Sequence, residues 1–430
     1  MVLLGQSIAV PRKVHGMRFF HCRLLLCLVG LIVAVPSFAT DGYFSTGCGM
    51  KQLGQGGAGV AFPQDSLAGA ANPAGMVFVG DRFDFGLTYF RPIRSSSITG
   101  SLAPVNGSYD ASRHKNFFIP ELGFNHLVKP RLSLGVSICG NGGMNTSYTT
   151  PIPLLGSTRA GVDLEQLFVS PTAAFKLSEH QAVGVSLNIG WQRFSGEGLQ
   201  NFTQPGFSID PANLTNRGYD ASYGIGVRVG WFGEFGKYLN LGATFQSRTY
   251  MQKFSKYRGL FAEQGGFDIP ATVAGGAAFK LTEKVTVPFD VERIFYGQVK
   301  SIANLDSNQA QLGADNGPGF GWQDITVEKA GIDYKVSPSL TLRGGYNHSG
   351  LPFNSSQTFF NLLAPAVVQN HLTAGATFAL RNGKEVNVAY QHAFERTLNG
   401  VNSIAPAFGG GEANLKMYQD SLGVSVGWGR

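Results

Sequence analysis

Four cations crowd one stretch of this chain: Arg248, Lys253, Lys256 and Arg258. A carboxylate would find a partner there, because an arginine fork engages both carboxylate oxygens. Segments able to hold an apolar tail lie elsewhere. They are residues 151–155, the set Phe202, Phe207, Ile209 and Leu214, and the longer run 359–368 with Phe359, Phe360, Leu362 and Leu363. Contiguous exposed apolar surface marks a binding site; the same residues could instead pack on one another and close the top of a lumen. Five further charges, Asp290, Glu292, Lys329, Asp333 and Arg343, fall on one face of their strands by alternation. Inside a barrel, such charges pair with each other or with a plug.

The sequence is not read as an enzyme, and no cofactor or metal is expected. The eight histidines show no metal-ligand spacing. Gly54-Gln55-Gly56-Gly57-Ala58-Gly59 matches Gly-x-Gly-x-x-Gly. No strand precedes it, however, and Pro63 follows soon after, so close backbone packing explains the glycines better than a dinucleotide does. Of the four cysteines, Cys22 and Cys27 lie in a leader, which leaves Cys48 and Cys139. Strand parity turns Cys139 inward. The two either form a disulfide tying a plug to the wall, which needs Cα atoms within about 7 Å, or remain buried thiols.

The elements that must position these residues begin after a secretion signal. Arg18 and Arg23 precede the uncharged run 24–35, and Ser37-Phe38-Ala39 resembles a cleavage site, so residues 1–39 read as a signal peptide, with Met17 an alternative start. A membrane-spanning helix would need about 20 residues. Four of the 34 basic residues and none of the 27 acidic ones lie in this leader, so the net charge of +7 falls to +3 without it. Nucleic-acid binding then loses its electrostatic support. Charged residues make up 14% of the chain, against about 25% in a typical soluble domain. With no long apolar helix in prospect beyond the leader, the remaining way through a bilayer is a closed barrel.

Residues 40–80 are rich in glycine and alanine, lack strand or helix periodicity, and end in Asn72-Pro73-Ala74-Gly75; they read as a plug, or hatch. From there, residues 81–430 read as an all-β transmembrane barrel. Fourteen strands are predicted at 82–91, 116–127, 131–140, 164–177, 182–195, 218–232, 238–248, 267–281, 285–298, 323–336, 339–349, 370–380, 384–395 and 415–428. Six short connections alternate with seven long ones, the pattern of short periplasmic turns and long outer loops. Tyr89, Trp191, Trp231, Tyr346 and Trp428 fit interfacial girdles, although aromatics favour strands in any case.

Three stretches carry a family resemblance: LGQGGAGVAFPQDSLAGAANPAG, FDIPATVAGGAAFKLTEKVTVPFDVE and WQDITVEKAGIDYKVSPSLTLRGGYNHSGLPFN. They resemble the FadL-type outer-membrane transporters of long-chain fatty acids and other hydrophobic compounds. That resemblance implies a fourteen-stranded antiparallel barrel plugged by its N-terminus, in the bacterial outer membrane, with gating near Asn72, Pro73, Ala74 and Gly75. It implies passive uptake of long-chain fatty acids by a monomer whose partners are a hydrophobic ligand and outer-membrane lipid. Aromatic-hydrocarbon uptake on the same fold is the first alternative; a general porin and an outer-membrane lipid hydrolase are more distant ones.

Overall fold

A computed structural model describes residues 41–429; the signal segment read at 1–39 lies outside them. Wherever apolar residues alternate with small polar ones, the chain is extended. Fourteen strands form the wall: β1 Arg82–Thr99, β2 Phe117–Lys129, β3 Leu132–Ser147, β4 Gly161–Lys176, β5 Gln181–Glu197, β6 Asp220–Phe235, β7 Leu239–Gln246, β8 Thr272–Lys280, β9 Val285–Ile294, β10 Ile325–Ser337, β11 Leu340–Ser349, β12 Asn370–Ala379, β13 Lys384–Leu398 and β14 Glu412–Gly429. Each runs antiparallel to the one before, and β14 pairs with β1 from Arg82↔Gly429 to Thr99↔Glu412. The sheet is therefore closed, with no unpaired edge for lipid to meet.

The two faces differ as a lipid-embedded wall requires. On β5, Val183, Val185, Leu187 and Ile189 point outward and are exposed, while Ser186, Asn188 and Gln192 point inward and are buried. Tyr223, Ile225, Val227 and Val229 repeat the outer pattern on β6, as do Leu422 and Val424 on β14. In water this apolar belt would be an aggregation surface; in a bilayer it is solvated. No helix among the described residues is long and apolar enough to cross a membrane. Short turns such as 130–131, 236–238 and 338–339 close one rim, and long loops such as 198–219, 295–324 and 350–369 cover the other.

Two strand boundaries move for identifiable reasons. β1 runs on to Thr99 instead of ending at 91. Its pairing with β2 stops at Phe90↔Phe117, so Pro92 sits where no partner on that side needs its missing N–H. Farther out, residues 95–98 pair with a short outer strand, Gly107–Asp110. β8 begins at Thr272 instead of 267, because Pro270 interrupts the ladder and Ile269 makes only an isolated bridge to Thr249.

The segment 41–80 folds into short turns of helix, Met50–Leu53, Ala68–Ala70, Pro73–Gly75 and Met76–Val79. It packs against inward side chains all around the ring. Glycines on the wall make room for it: a Cβ on Gly345 of β11 would stand 2.1 Å from the Gly56 nitrogen, and one on Gly230 of β6 would stand 2.0 Å from Asn72 Oδ1.

Candidate functional site

The segment is held by its own backbone polar groups, which must find partners once buried. Gly59 and Val60 N–H both donate to Asp290 Oδ2, at 2.6 and 3.0 Å. Gly56 N–H donates to Thr373 Oγ1 at 2.8 Å, and Gly49 N–H to Glu121 Oε2 at 2.9 Å. The Gly-x-Gly-x-x-Gly pattern thus points its amides at wall side chains. Asn72 caps the turn that follows, accepting from Ala74 N–H, and its Nδ2 donates to Val60 and Trp231 carbonyls, both at 2.9 Å. The sequence Asn72-Pro73-Ala74 therefore lies against β5 and β6, where Gly184 and Gly230 admit it.

All five of the predicted inward charges line the lumen. Lys329 Nζ is 2.8 Å from Glu292 and 3.6 Å from Asp41, and donates to the Thr46 carbonyl at 3.0 Å. Arg343 lies 2.9 Å from Asp333 and donates to Gln64 of the N-terminal segment. These charges pair with one another and with the segment, the structural role that desolvation demands.

The four cations near residue 250 are less available than their spacing suggests. Arg248 is 2.7 Å from Asp268 and Arg258 pairs with Asp210, while Lys256 donates to the Tyr219 carbonyl at 2.6 Å. Lys253 is exposed. The apolar loop residues mostly pack together: Phe202, Leu214, Phe359, Leu362 and Leu363 belong to one core that caps the lumen. Phe207 and Ile209 remain exposed. Phe202, Phe207, Phe359, Phe360 and Phe408 form a connected cluster with ring centroids 5.5–6.0 Å apart, drawn from three separate outer loops.

Cys48 and Cys139 are joined as a disulfide with Cα atoms 6.2 Å apart, linking the segment to β3. Just beyond it, β3 carries a register irregularity between Gly140 and Gly142, and Ser45 N–H donates to the Asn141 carbonyl there at 2.9 Å. Two small cavities meet at this point. One is lined by Phe90, Glu121, Gln391 and Ser421; the other by Phe168, Arg228, Glu292 and Lys329. Residues 45–48, Cys139 and Gly140 line both, so the bonded pair stands in the partition between them.

Among the described residues, no group of three or more His, Cys, Asp or Glu side chains comes together as a metal site. Gly423-Val424-Ser425-Val426-Gly427 matches the nucleophile-elbow pattern Gly-x-Ser-x-Gly but lies within regular β14 rather than at a strand-to-helix turn, and Ser425 Oγ accepts from Asn387. Sequence reasoning missed several inward residues. Tyr296 donates to the Asp41 carbonyl at 2.6 Å from a stretch predicted as strand, where the chain instead makes a short helical turn. Arg94 lies beyond the predicted end of strand one at residue 91, in the part of β1 that continues to Thr99.

The closed fourteen-stranded ring, lipid-facing belt and segregated loops define an outer-membrane β-barrel. Residues 38–417 match the family described as "Outer membrane protein transport protein (OMPP1/FadL/TodX)", and the chain belongs to it. This is a family of outer-membrane transporters of hydrophobic compounds. The fold is similar to that of the toluene transporter TodX of P. putida, at 18% identity and TM-score 0.68, covering 91% of this chain and 99% of that one. It is similar to a Pseudomonas aeruginosa FadL homologue, at 14% identity and TM-score 0.67, covering 90% and 99%. The toluene transporter TbuX of Ralstonia pickettii gives 18% identity and TM-score 0.62, covering 88% and 98%. No curated protein matches the chain.

Proposed function

We propose that the chain takes up long-chain fatty acids, or hydrophobic molecules of similar size, by diffusion, with residues 40–80 as a hatch and residues 1–39 removed on secretion. The observation that carries this reading is the phenylalanine cluster in the outer loops above a segment-filled lumen. An apolar ligand would leave the aqueous phase at Phe207 and its ring neighbours, pass into the cavities beside the hatch, and exit when the hatch shifts near Asn72-Pro73-Ala74. The disulfide restricts that shift to residues beyond Cys48. No step calls for a cofactor or for catalysis, the protein acts as a monomer, and net flux follows consumption of the ligand on the inner side.

Aromatic hydrocarbons are the second reading, favoured by the likeness to TodX and TbuX, each described as a toluene transporter. Initial uptake rates of labelled oleate and labelled toluene, in cells lacking their own transporter, separate the two. Faster oleate entry than in vector controls supports the first reading, and toluene entry alone supports the second. Entry of neither discards both.

A further inference from the structure

All six short turns of the barrel carry a lysine or arginine beside an exposed apolar side chain. Lys129 and Arg131 stand at turn 130–131, Lys176 at 177–180 and Lys237 at 236–238. Lys284 stands at 281–284, Lys335 at 338–339, and Arg381 and Lys384 at 380–383. The apolar neighbours are Val128, Leu177, Tyr238, Leu281, Val336 and Leu380, all exposed.

Few of these cations are neutralised within the chain. Lys176 is 4.0 Å from Glu179, and Lys280, at the end of β8, is 3.3 Å from Glu234. The seven others at the turns are exposed and, among the described residues, make no ion pair. The acids at this rim are fewer: Asp81 meets His126 and Glu234 meets His180 and Lys280, which leaves Glu283 as the exposed carboxylate outside any pair among the described residues. The long-loop rim intersperses its charges instead. Arg248, Lys300 and Lys416 there each have a carboxylate within 2.7–3.1 Å.

The free cations begin where the lipid-facing belt ends. Exposed Phe124 and Val128 lead along β2 to Lys129, and exposed Phe235 and Tyr238 bracket Lys237, whose Nζ lies 5.2 Å over the Tyr238 ring. A long basic side chain at this level lays its stem along apolar surface and its charge among headgroups, where aromatic rings also settle. We infer that the short-turn rim binds anionic phospholipid headgroups of the periplasm-facing leaflet, with phosphate as the group recognised. Arg131 and Arg381 offer forks for two phosphate oxygens, and the lysines act as point charges. Basic side chains at a membrane surface favour anionic over zwitterionic lipid. Apolar neighbours at every turn suit a lipid better than a soluble acidic protein. The inference is independent of which molecule the barrel carries.

The test is the association of spin-labelled phosphatidylglycerol and phosphatidylcholine with the full chain in lipid vesicles, read by electron paramagnetic resonance as a ratio of association constants. Wild type is expected to favour phosphatidylglycerol about fivefold, the effect of one nearby cation per lipid, and about 0.5 M salt should remove most of that preference. Joint replacement by Lys129→Gln, Arg131→Gln, Lys284→Gln and Arg381→Gln should bring the ratio below about twofold. The long-loop pair Lys300→Gln and Lys416→Gln should leave it unchanged. Heat-modifiable mobility checks that each variant is folded; if the fourfold variant is not, Lys129→Gln with Arg131→Gln and Lys284→Gln with Arg381→Gln should each lower the ratio. An unchanged ratio in the rim variants, or an equal fall in the long-loop pair, overturns the inference. So does a wild type without preference, which would leave an acidic protein as the partner of this rim.

Discussion

Asn72 Nδ2 donates to the main-chain carbonyl of Trp231 at 2.9 Å, joining the N-terminal segment to the barrel wall at β6. The same side chain donates to Val60 and accepts from Ala74 N–H. One amide therefore links the wall to two arms of the segment. Gly230 keeps the site open, since a Cβ there would stand 2.0 Å from Asn72 Oδ1.

Asn72→Ala removes these bonds and leaves buried carbonyls without their donor, at a cost of about 1–3 kcal/mol. Gly230→Ala should displace the same side chain from the opposite direction. Both variants are expected to keep a heat-modifiable barrel while residues 59–75 gain hydrogen exchange. Gly275→Ala meets nothing within 4 Å and serves as the control. Unchanged exchange in Asn72→Ala would refute the latch.

Much of the wall was legible because the side-chain period of a strand is 2, and lipid on one face makes the alternation strict. Val183 to Ile189 on β5 is the clearest case. The same parity placed Asp290, Lys329 and Arg343 inside. It failed where strands rise past the bilayer: after Phe90, both Pro92 and the run Arg94-Ser95-Ser96-Ser97 break the apolar pattern, although pairing continues to Thr99. Arg94 went unseen for that reason. The partners of Arg248 and Arg258, Asp268 and Asp210, are 20 and 48 residues away in sequence, and no local pattern announces them. The packing of Phe202 against Phe360 and Phe408 is likewise set by loop docking.

Serine at both Cys48 and Cys139 should leave the barrel folded and raise hydrogen exchange over residues 45–48, where the remaining ties are hydrogen bonds such as that from Ser45 N–H to Asn141, while Asp41, Tyr43 and Phe44 stay held by Lys329 and by aromatic packing. Peptide mapping without reductant should recover the two cysteines as one linked pair. Recovery of both as free thiols would remove the tether from the mechanism.

Lys329→Met strands Asp41 and Glu292 as buried carboxylates. Breaking a buried pair in this way costs about 3–5 kcal/mol. The apparent Tm should fall, and adding Glu292→Gln should restore part of the loss. Additive effects of the two changes would show that the pair is not coupled.

Asp306 lies in the outer loop 295–324. Burial pushes its carboxyl up to about 7 from 3.8, opposed by the hydrogen bond with Gln357. An acid whose folded value is raised favours folding while protonated. Its contribution is full below pH 3.8 and is lost as pH rises to about 7. Tm should therefore decline across that window more steeply in wild type than in Asp306→Asn. Parallel curves for the two proteins would contradict the assignment.

The hatch at Asn72 is expected to let the plugged barrel pass hydrophobic molecules and exclude polar ones. The most direct measurement is initial uptake of labelled oleate, toluene and a polar sugar, in transporter-deficient cells with matched surface amounts of wild type and of Asn72→Ala. Wild type should admit at least one hydrophobic compound and no sugar above vector controls, and the variant should change the hydrophobic rate. Sugar entry equal to that of the hydrophobic compounds in wild type would contradict the account and indicate an open polar pore.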